Sequence, residues 1–87
     1  MAERRVIVEA QDGLHTRPAA EFVRAASQAP MEITVSRFMG QPVNAKSILA
    51  VLGLDARYGE QLRLRAEGEG AEEVLETLAE LIAEPDA

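Results

Sequence analysis

Residues 61–66 constrain the fold most, because polar and apolar side chains alternate through the whole segment. A period of two is typical of a strand with one face in a core and the other in water. Residues 31–36 alternate in the same way, and residues 5–10 form a short β-branched segment. Residues 41–43 are a shorter candidate, in which Pro42 favours the edge of a sheet. We therefore predict a sheet of short strands that is covered on one side only.

Between these segments the apolar period changes to that of a helix. A helix is predicted from Thr16 to the Ala29-Pro30 pair, and a short one follows Ser47 and ends at Gly53. The last helix stops at Pro85. The order strand, helix, strand, strand, helix, strand, helix indicates an α+β fold, in which single apolar helix stripes cover the sheet as a two-layer sandwich.

Composition bounds the possible functions. The 87 residues suit one small domain, 1–87, and a content of 47% hydrophobic and 28% charged residues is globular. The absence of Cys excludes disulfides, thiolate zinc sites and cysteine nucleophiles, and one His excludes a multi-histidine metal centre, so we expect no cofactor or metal. A net charge of −6 and 3% aromatic residues argue against nucleic-acid binding. No apolar run approaches about 18 residues, so we expect a cytoplasmic protein without membrane contact.

The charge is unevenly distributed along the chain. Residues 60–87 carry nine acidic and two basic side chains, whereas residues 1–59 carry six and seven. The single His, His15, lies in the half that is not acidic. An anion can therefore approach it without opposing the net charge of that half.

His15 lies between a predicted turn at residues 12–13 and a predicted helix. Unpaired backbone N–H groups and the helix dipole favour an anion at such an end. They also disfavour the imidazolium form, so a neutral ring nitrogen is available as a nucleophile. Arg17 can offer a planar set of donors to a phosphoryl or carboxylate group. The alternative is that His15 only caps a helix and Arg17 is a solvated side chain, and spacing alone does not decide between the two.

Two motifs carry a family resemblance. Residues 13–19, Gly-Leu-His-Thr-Arg-Pro-Ala, resemble the active-site motif of HPr, the histidine phosphocarrier family of the bacterial phosphoenolpyruvate-dependent sugar phosphotransferase system. Residues 44–49, Asn-Ala-Lys-Ser-Ile-Leu, resemble the serine-centred second motif of that family. The resemblance extends over nearly the whole chain. It implies an open-faced sandwich of four antiparallel strands covered by three helices, and a phosphocarrier rather than an enzyme.

The resemblance also implies residue roles. His15 is then the acceptor of a phosphoryl group from phosphorylated enzyme I and passes it to the EIIA domains of sugar permeases. Arg17 matches the arginine that neutralises the phosphoryl group. Ser47 matches a serine that an HPr kinase/phosphorylase modifies in many bacteria, although a serine here is also a good helix N-cap without any such function.

A partner surface is expected beside His15. A helix as short as the one after Ser47 cannot bury all of its apolar side chains, and by resemblance this region docks on enzyme I and EIIA. The alternative is that these apolar side chains are all core and that Arg24 is simply solvated. The expected surface of this monomeric protein comprises Thr16, Ala20, Arg24, Ile48, Leu49 and Leu52.

Residues 37–41 and 53–58 depart from the more common family pattern, which leaves partner preference open. Two other functions also stay open from the sequence. One is a regulatory HPr paralogue of a nitrogen-linked or incomplete phosphotransfer chain. The other is an α+β binding module with no covalent chemistry.

Overall fold

A computed structural model describes residues 1–14 and 17–85 of the chain. Within them it contains four strands and three helices. In chain order these are β1 (Ala2–Ile7), α1 (Arg17–Ser27), β2 (Ile33–Arg37), β3 (Val43–Asn44), α2 (Ile48–Gly53), β4 (Gln61–Ala66) and α3 (Ala71–Ala83).

The four strands form one antiparallel sheet in the order β1-β4-β2-β3. Leu64 on β4 lies opposite Arg4 on β1 and Val35 on β2, and Val35 in turn lies opposite Val43 on β3. β3 is at the edge, as Pro42 predicted, since an edge strand tolerates the missing N–H of a neighbouring proline. The predicted open-faced α+β sandwich is confirmed.

The core lies between one face of the sheet and the three helices. Val35, Leu62 and Leu64 supply the sheet side, and all three side chains are fully buried. Phe22 on α1 and Leu78 on α3 close the core from the helix side and are equally buried. α3 contacts β1, β4 and α1, so it joins both layers.

The opposite face of the sheet is polar apart from Ile7, an exposed apolar side chain at the end of β1. Because the side-chain period in a strand is two, the neighbours of the core residues point away from the helices. One row across the strands contains Glu3, Arg65, Thr34 and Asn44. The next contains Arg5, Arg63 and Ser36.

The predicted boundaries differ from the observed ones at β3 and β1. β3 comprises Val43–Asn44 instead of residues 41–43. β1 was predicted at residues 5–10 but begins at Ala2, because backbone pairing with β4 continues through the polar segment. Val8 leaves the ladder but keeps its core position: its N–H donates to the Glu60 carbonyl at 2.9 Å, and its side chain is buried. No helix within the described ranges is long and apolar enough to cross a membrane.

Candidate functional site

The backbone just before position 15 is in close contact with Ala56 and Arg57, which follow α2. The Gly13 N–H donates to the Ala10 carbonyl at 2.9 Å and closes a tight turn, with Gly13 at φ +84°. A Cβ on Gly13 would lie 2.5 Å from the Ala56 carbonyl oxygen, so only glycine fits here. The Leu14 N–H donates to that same oxygen at 2.8 Å, and the Leu14 side chain is buried. His15 and Thr16 themselves lie outside the described residues.

α1 begins immediately after these two positions. Arg17 is its first residue and Pro18 its second, and its first turn contains no acidic side chain. The Arg17 side chain is 84% exposed, and its Nε lies 3.8 Å from a Glu21 carboxylate oxygen. This end of α1 therefore combines the positive end of a helix dipole with an accessible guanidinium, and both favour an anion.

Ser47 caps α2, as predicted. Its backbone is extended, at φ −106° and ψ 115°, and its Oγ accepts from the Ala50 N–H at 3.2 Å. Its neighbour Lys46 donates through Nζ to the Ala29 carbonyl at 2.7 Å, just beyond the end of α1. The start of α2 is thereby fixed beside α1.

α2 buries only one of its large side chains fully. Val51 is completely buried, whereas the exposed fraction is 39% for Ile48, 81% for Leu49 and 38% for Leu52. The prediction that some of these apolar side chains are exposed is confirmed, and the alternative that all three are core is wrong. That they form a patch beside His15 stays a prediction. On the adjacent helix α1, Ala20 and Arg24 are exposed. Their contact with partners stays a prediction.

A model of the family described as "PTS HPr component phosphorylation site" matches residues 2–84. The chain belongs to the HPr family. It is thus a phosphocarrier of the phosphotransferase system rather than an enzyme, and HPr proteins exchange phosphoryl groups with other proteins of that system.

Three relatives illustrate the similarity. The chain is 55% identical over 84 residues to the phosphocarrier protein HPr of Streptomyces coelicolor, covering 97% of this chain and 90% of that protein. It is 37% identical over 79 residues to the multiphosphoryl transfer protein of Salmonella typhimurium, covering 88% of this chain and 21% of that longer protein. The crystal structure of HPr from Bacillus anthracis superposes with a TM-score of 0.87 at 38% identity, covering 93% and 95% of the two chains.

Sequence analysis did not identify the residues that hold residues 54–60, the segment that contains Ala56, in place. Arg37 donates to a Glu60 carboxylate oxygen at 2.5 Å and contacts the Leu54 carbonyl at 3.5 Å. The other Glu60 oxygen accepts from the Arg57 N–H at 2.7 Å. The Arg57 N–H bond first, and the Arg37 bond second, lower the pKa of Glu60. These contacts support the segment on which Leu14 is anchored, and a pairing across 23 residues leaves no local signal in the sequence.

Metal ligation was not expected from the composition. Within residues 1–14 and 17–85, no group of three or more His, Cys, Asp or Glu side chains is arranged to hold a metal ion.

Proposed function

We propose that His15 is the phosphoryl acceptor of this HPr protein, that phosphorylated enzyme I is its donor, and that the EIIA domains of sugar permeases are its acceptors. The observation that carries the proposal is the geometry on both sides of position 15. Before it, the backbone is anchored on Ala56, and after it α1 begins with exposed Arg17. In transfer, a bond forms between an imidazole nitrogen and phosphorus as the bond from phosphorus to the donor breaks.

Arg17 neutralises the phosphoryl group in this proposal. Among the described residues, Arg17 forms one ion pair, a 3.8 Å contact with Glu21 between two exposed side chains. Exposed ion pairs of this kind contribute at most about 1 kcal/mol. Charge-assisted hydrogen bonds to a phosphoryl group contribute about 1.5–3 kcal/mol each. The free energy therefore favours the Arg17 guanidinium on the phosphoryl group over its contact with Glu21.

The docking surface comprises the exposed α2 side chains Ile48, Leu49 and Leu52, together with Thr16, Ala20 and Arg24. Apolar side chains exposed side by side are typical of protein contact sites, and exposed Arg24 on α1 supplies a charge at the rim. We place this single-domain, monomeric carrier in the cytoplasm, where phosphoenolpyruvate is produced.

Ser47 is a regulatory phosphorylation site in this proposal, modified by an HPr kinase/phosphorylase. Because Ser47 is already the N-cap of α2, a phosphate there meets favourable backbone donors and the positive end of a short helix. Its effect is then exerted on the neighbouring docking surface through charge rather than by unfolding α2.

Incubation with labelled phosphoenolpyruvate and enzyme I tests the acceptor. The wild-type protein should gain an acid-labile label and pass it to EIIA, whereas folded His15→Ala should gain none. Arg17→Ala should slow transfer in both directions by about tenfold or more, equivalent to one lost charge-assisted bond. Arg4→Ala, on β1, is the matched control and should transfer normally. Labelling of His15→Ala would contradict the acceptor assignment, and label that never reaches EIIA would indicate the regulatory paralogue instead.

A further inference from the structure

The uncovered face of the sheet concentrates positive charge. Arg5 on β1 lies directly opposite Arg63 on β4, and Arg65 lies two residues further along β4. These three belong to the nine basic side chains of a chain whose net charge is −6. With Glu3, the acid between them, they form what we term the arginine face. It lies on the side of the sheet opposite the helices, away from α1 and α2.

The arginine face is incompletely neutralised within the molecule. Glu3 is shared, since one of its oxygens lies 3.0 Å from Arg65 Nε and the other 3.5 Å from Arg5 Nε. Arg63 forms no ion pair within the described part of the chain, and Arg5 is its direct cross-strand neighbour. Like charges directly opposite each other destabilise a sheet. Within the ranges that the structure describes, Glu3 is the one carboxylate that interacts with all three of these guanidinium groups, so the arginine face keeps a net positive charge.

The spacing of these charges indicates the shape of a ligand. Residues two apart on a strand lie about 6.7 Å apart on the same face, which separates Arg63 from Arg65. Glutamates at i and i+4 of a helix have Cβ atoms about 5–6 Å apart, so consecutive carboxylates can meet consecutive arginines. A flat, pleated face matches such a row better than a single small anion, which binds best in a concave site.

The charge of the rest of the chain narrows the choice of partner. A nucleic acid carries a long array of phosphates, which the acidic remainder of this molecule repels. A second copy offers the acidic helix α3, but each copy has a net charge of −6, which opposes self-association. A partner protein whose acidic side chains are confined to one helix has neither a long array of phosphates nor a large net negative charge that this molecule would repel.

We propose that the arginine face binds an acidic helix of a partner protein, with carboxylates one helical turn apart on Arg63 and Arg65 and a third on Arg5. Because this face and the docking surface on α1 and α2 lie on opposite layers, such a partner can bind while a phosphotransfer protein is engaged. The proposal does not depend on the identity of the phosphoryl acceptor.

The test is a titration of ¹⁵N-labelled protein with a capped, alanine-based helical peptide of about 18 residues that carries Glu at every fourth position. Amide shifts should be confined to β1 and β4. Arg63→Gln and Arg5→Gln should each weaken binding about threefold, the effect of one exposed ion pair, and 0.3 M salt should weaken it further. Arg4→Gln changes the net charge equally on the opposite face of β1 and should leave the affinity unchanged. All three variants should still accept a phosphoryl group from enzyme I.

Four results would overturn the proposal. Equal weakening by Arg4→Gln, or shifts outside β1 and β4, would show non-specific attraction. Shifts at the arginine face that grow with protein concentration, without peptide, would identify a second copy as the occupant. Stronger binding of a single-stranded oligonucleotide than of the peptide would identify a nucleic-acid surface instead.

Discussion

At the scale of single residues, Gly13 is the most constrained described position beside the proposed acceptor, His15. Two requirements coincide there: a backbone at φ +84°, and space for the Ala56 carbonyl oxygen where a Cβ would lie. Gly59 has nearly the same conformation, at φ +86°, but nothing lies within 4 Å of its Cβ position. Comparing alanine substitutions at these two positions therefore separates the cost of backbone strain from the cost of steric clash.

Gly13→Ala should lower both stability and phosphoryl acceptance. Gly59→Ala should cost about 1–2 kcal/mol from strain alone, and Gly13→Ala at least about 1 kcal/mol more, because the clash displaces the backbone that precedes His15. Urea unfolding measures the stability of both variants, and labelling by enzyme I measures acceptance. Equal destabilisation of the two variants would show that the contact with Ala56 is not restrictive.

The dependence of the protein's stability on acid pH can be assigned in part to the Glu60 carboxylate. Its pKa in the folded protein lies below the ordinary 4.5, first because of the Arg57 N–H and then because of Arg37. The unfolded chain therefore binds a proton more readily than the folded protein. The stability contributed by Glu60 is present above pH 4.5 and is lost as the pH falls through its lower folded pKa.

Glu60→Gln should flatten the dependence of melting temperature on pH in this acid range, since glutamine does not titrate. Some dependence should persist, because the hydrogen bond from Arg65 also lowers the pKa of Glu3. Glu67→Gln is the control: Glu67 is exposed and has no ion pair within the described residues, so its curve should match the wild type. If Glu60→Gln instead parallels the wild type, the bonds to Arg37 and Arg57 do not persist in solution.

At the scale of elements, α2 is too short to be stable by itself, since it spans six residues and isolated helices need about 12–15. The Ser47 cap, the Lys46 bond to the end of α1 and the burial of Val51 hold it in place. The other apolar side chains of α2 can therefore stay exposed without loss of the helix.

Substitutions of Ser47 separate capping from docking. Ser47→Ala should lose about 1 kcal/mol of stability and keep most transfer activity, because only the bond to the Ala50 N–H is removed. Ser47→Asp should stay near wild-type stability, since aspartate also caps helices, but its charge should slow transfer from enzyme I at low salt. Melting temperature and transfer rate, each at low and high salt, measure both effects. Wild-type transfer by Ser47→Asp at low salt would show that the docking surface lies elsewhere.

At the scale of the whole molecule, a single core joins all the elements. Leu78→Ala should cost about 2–5 kcal/mol, because its side chain is fully buried between the layers. Leu49→Ala removes the same atoms from a side chain that is 81% exposed and should change stability by less than about 0.5 kcal/mol. Circular dichroism and NMR signals from α2 and β1 should be lost together on unfolding. Separate transitions would mean that the domain is not one cooperative unit.

The sequence predicted the elements whose apolar period is complete. β4 spans residues 61–66 as expected, and α3 ends two residues before Pro85. The predicted start of β1 was wrong, because its first residues are held by backbone pairing to β4, which needs no apolar pattern. In the site, the Ser47 cap was predictable because capping is local. The contact of Gly13 with Ala56 was not, because it depends on how segments distant in the chain come together.

The bond from Leu14 to Ala56 has an evolutionary consequence. It joins main-chain atoms, so it does not depend on which side chains are present at its two ends, provided that residue 56 stays small enough to remain buried. Residues 53–58 can therefore diverge from the pattern of their relatives while the backbone before position 15 keeps its location.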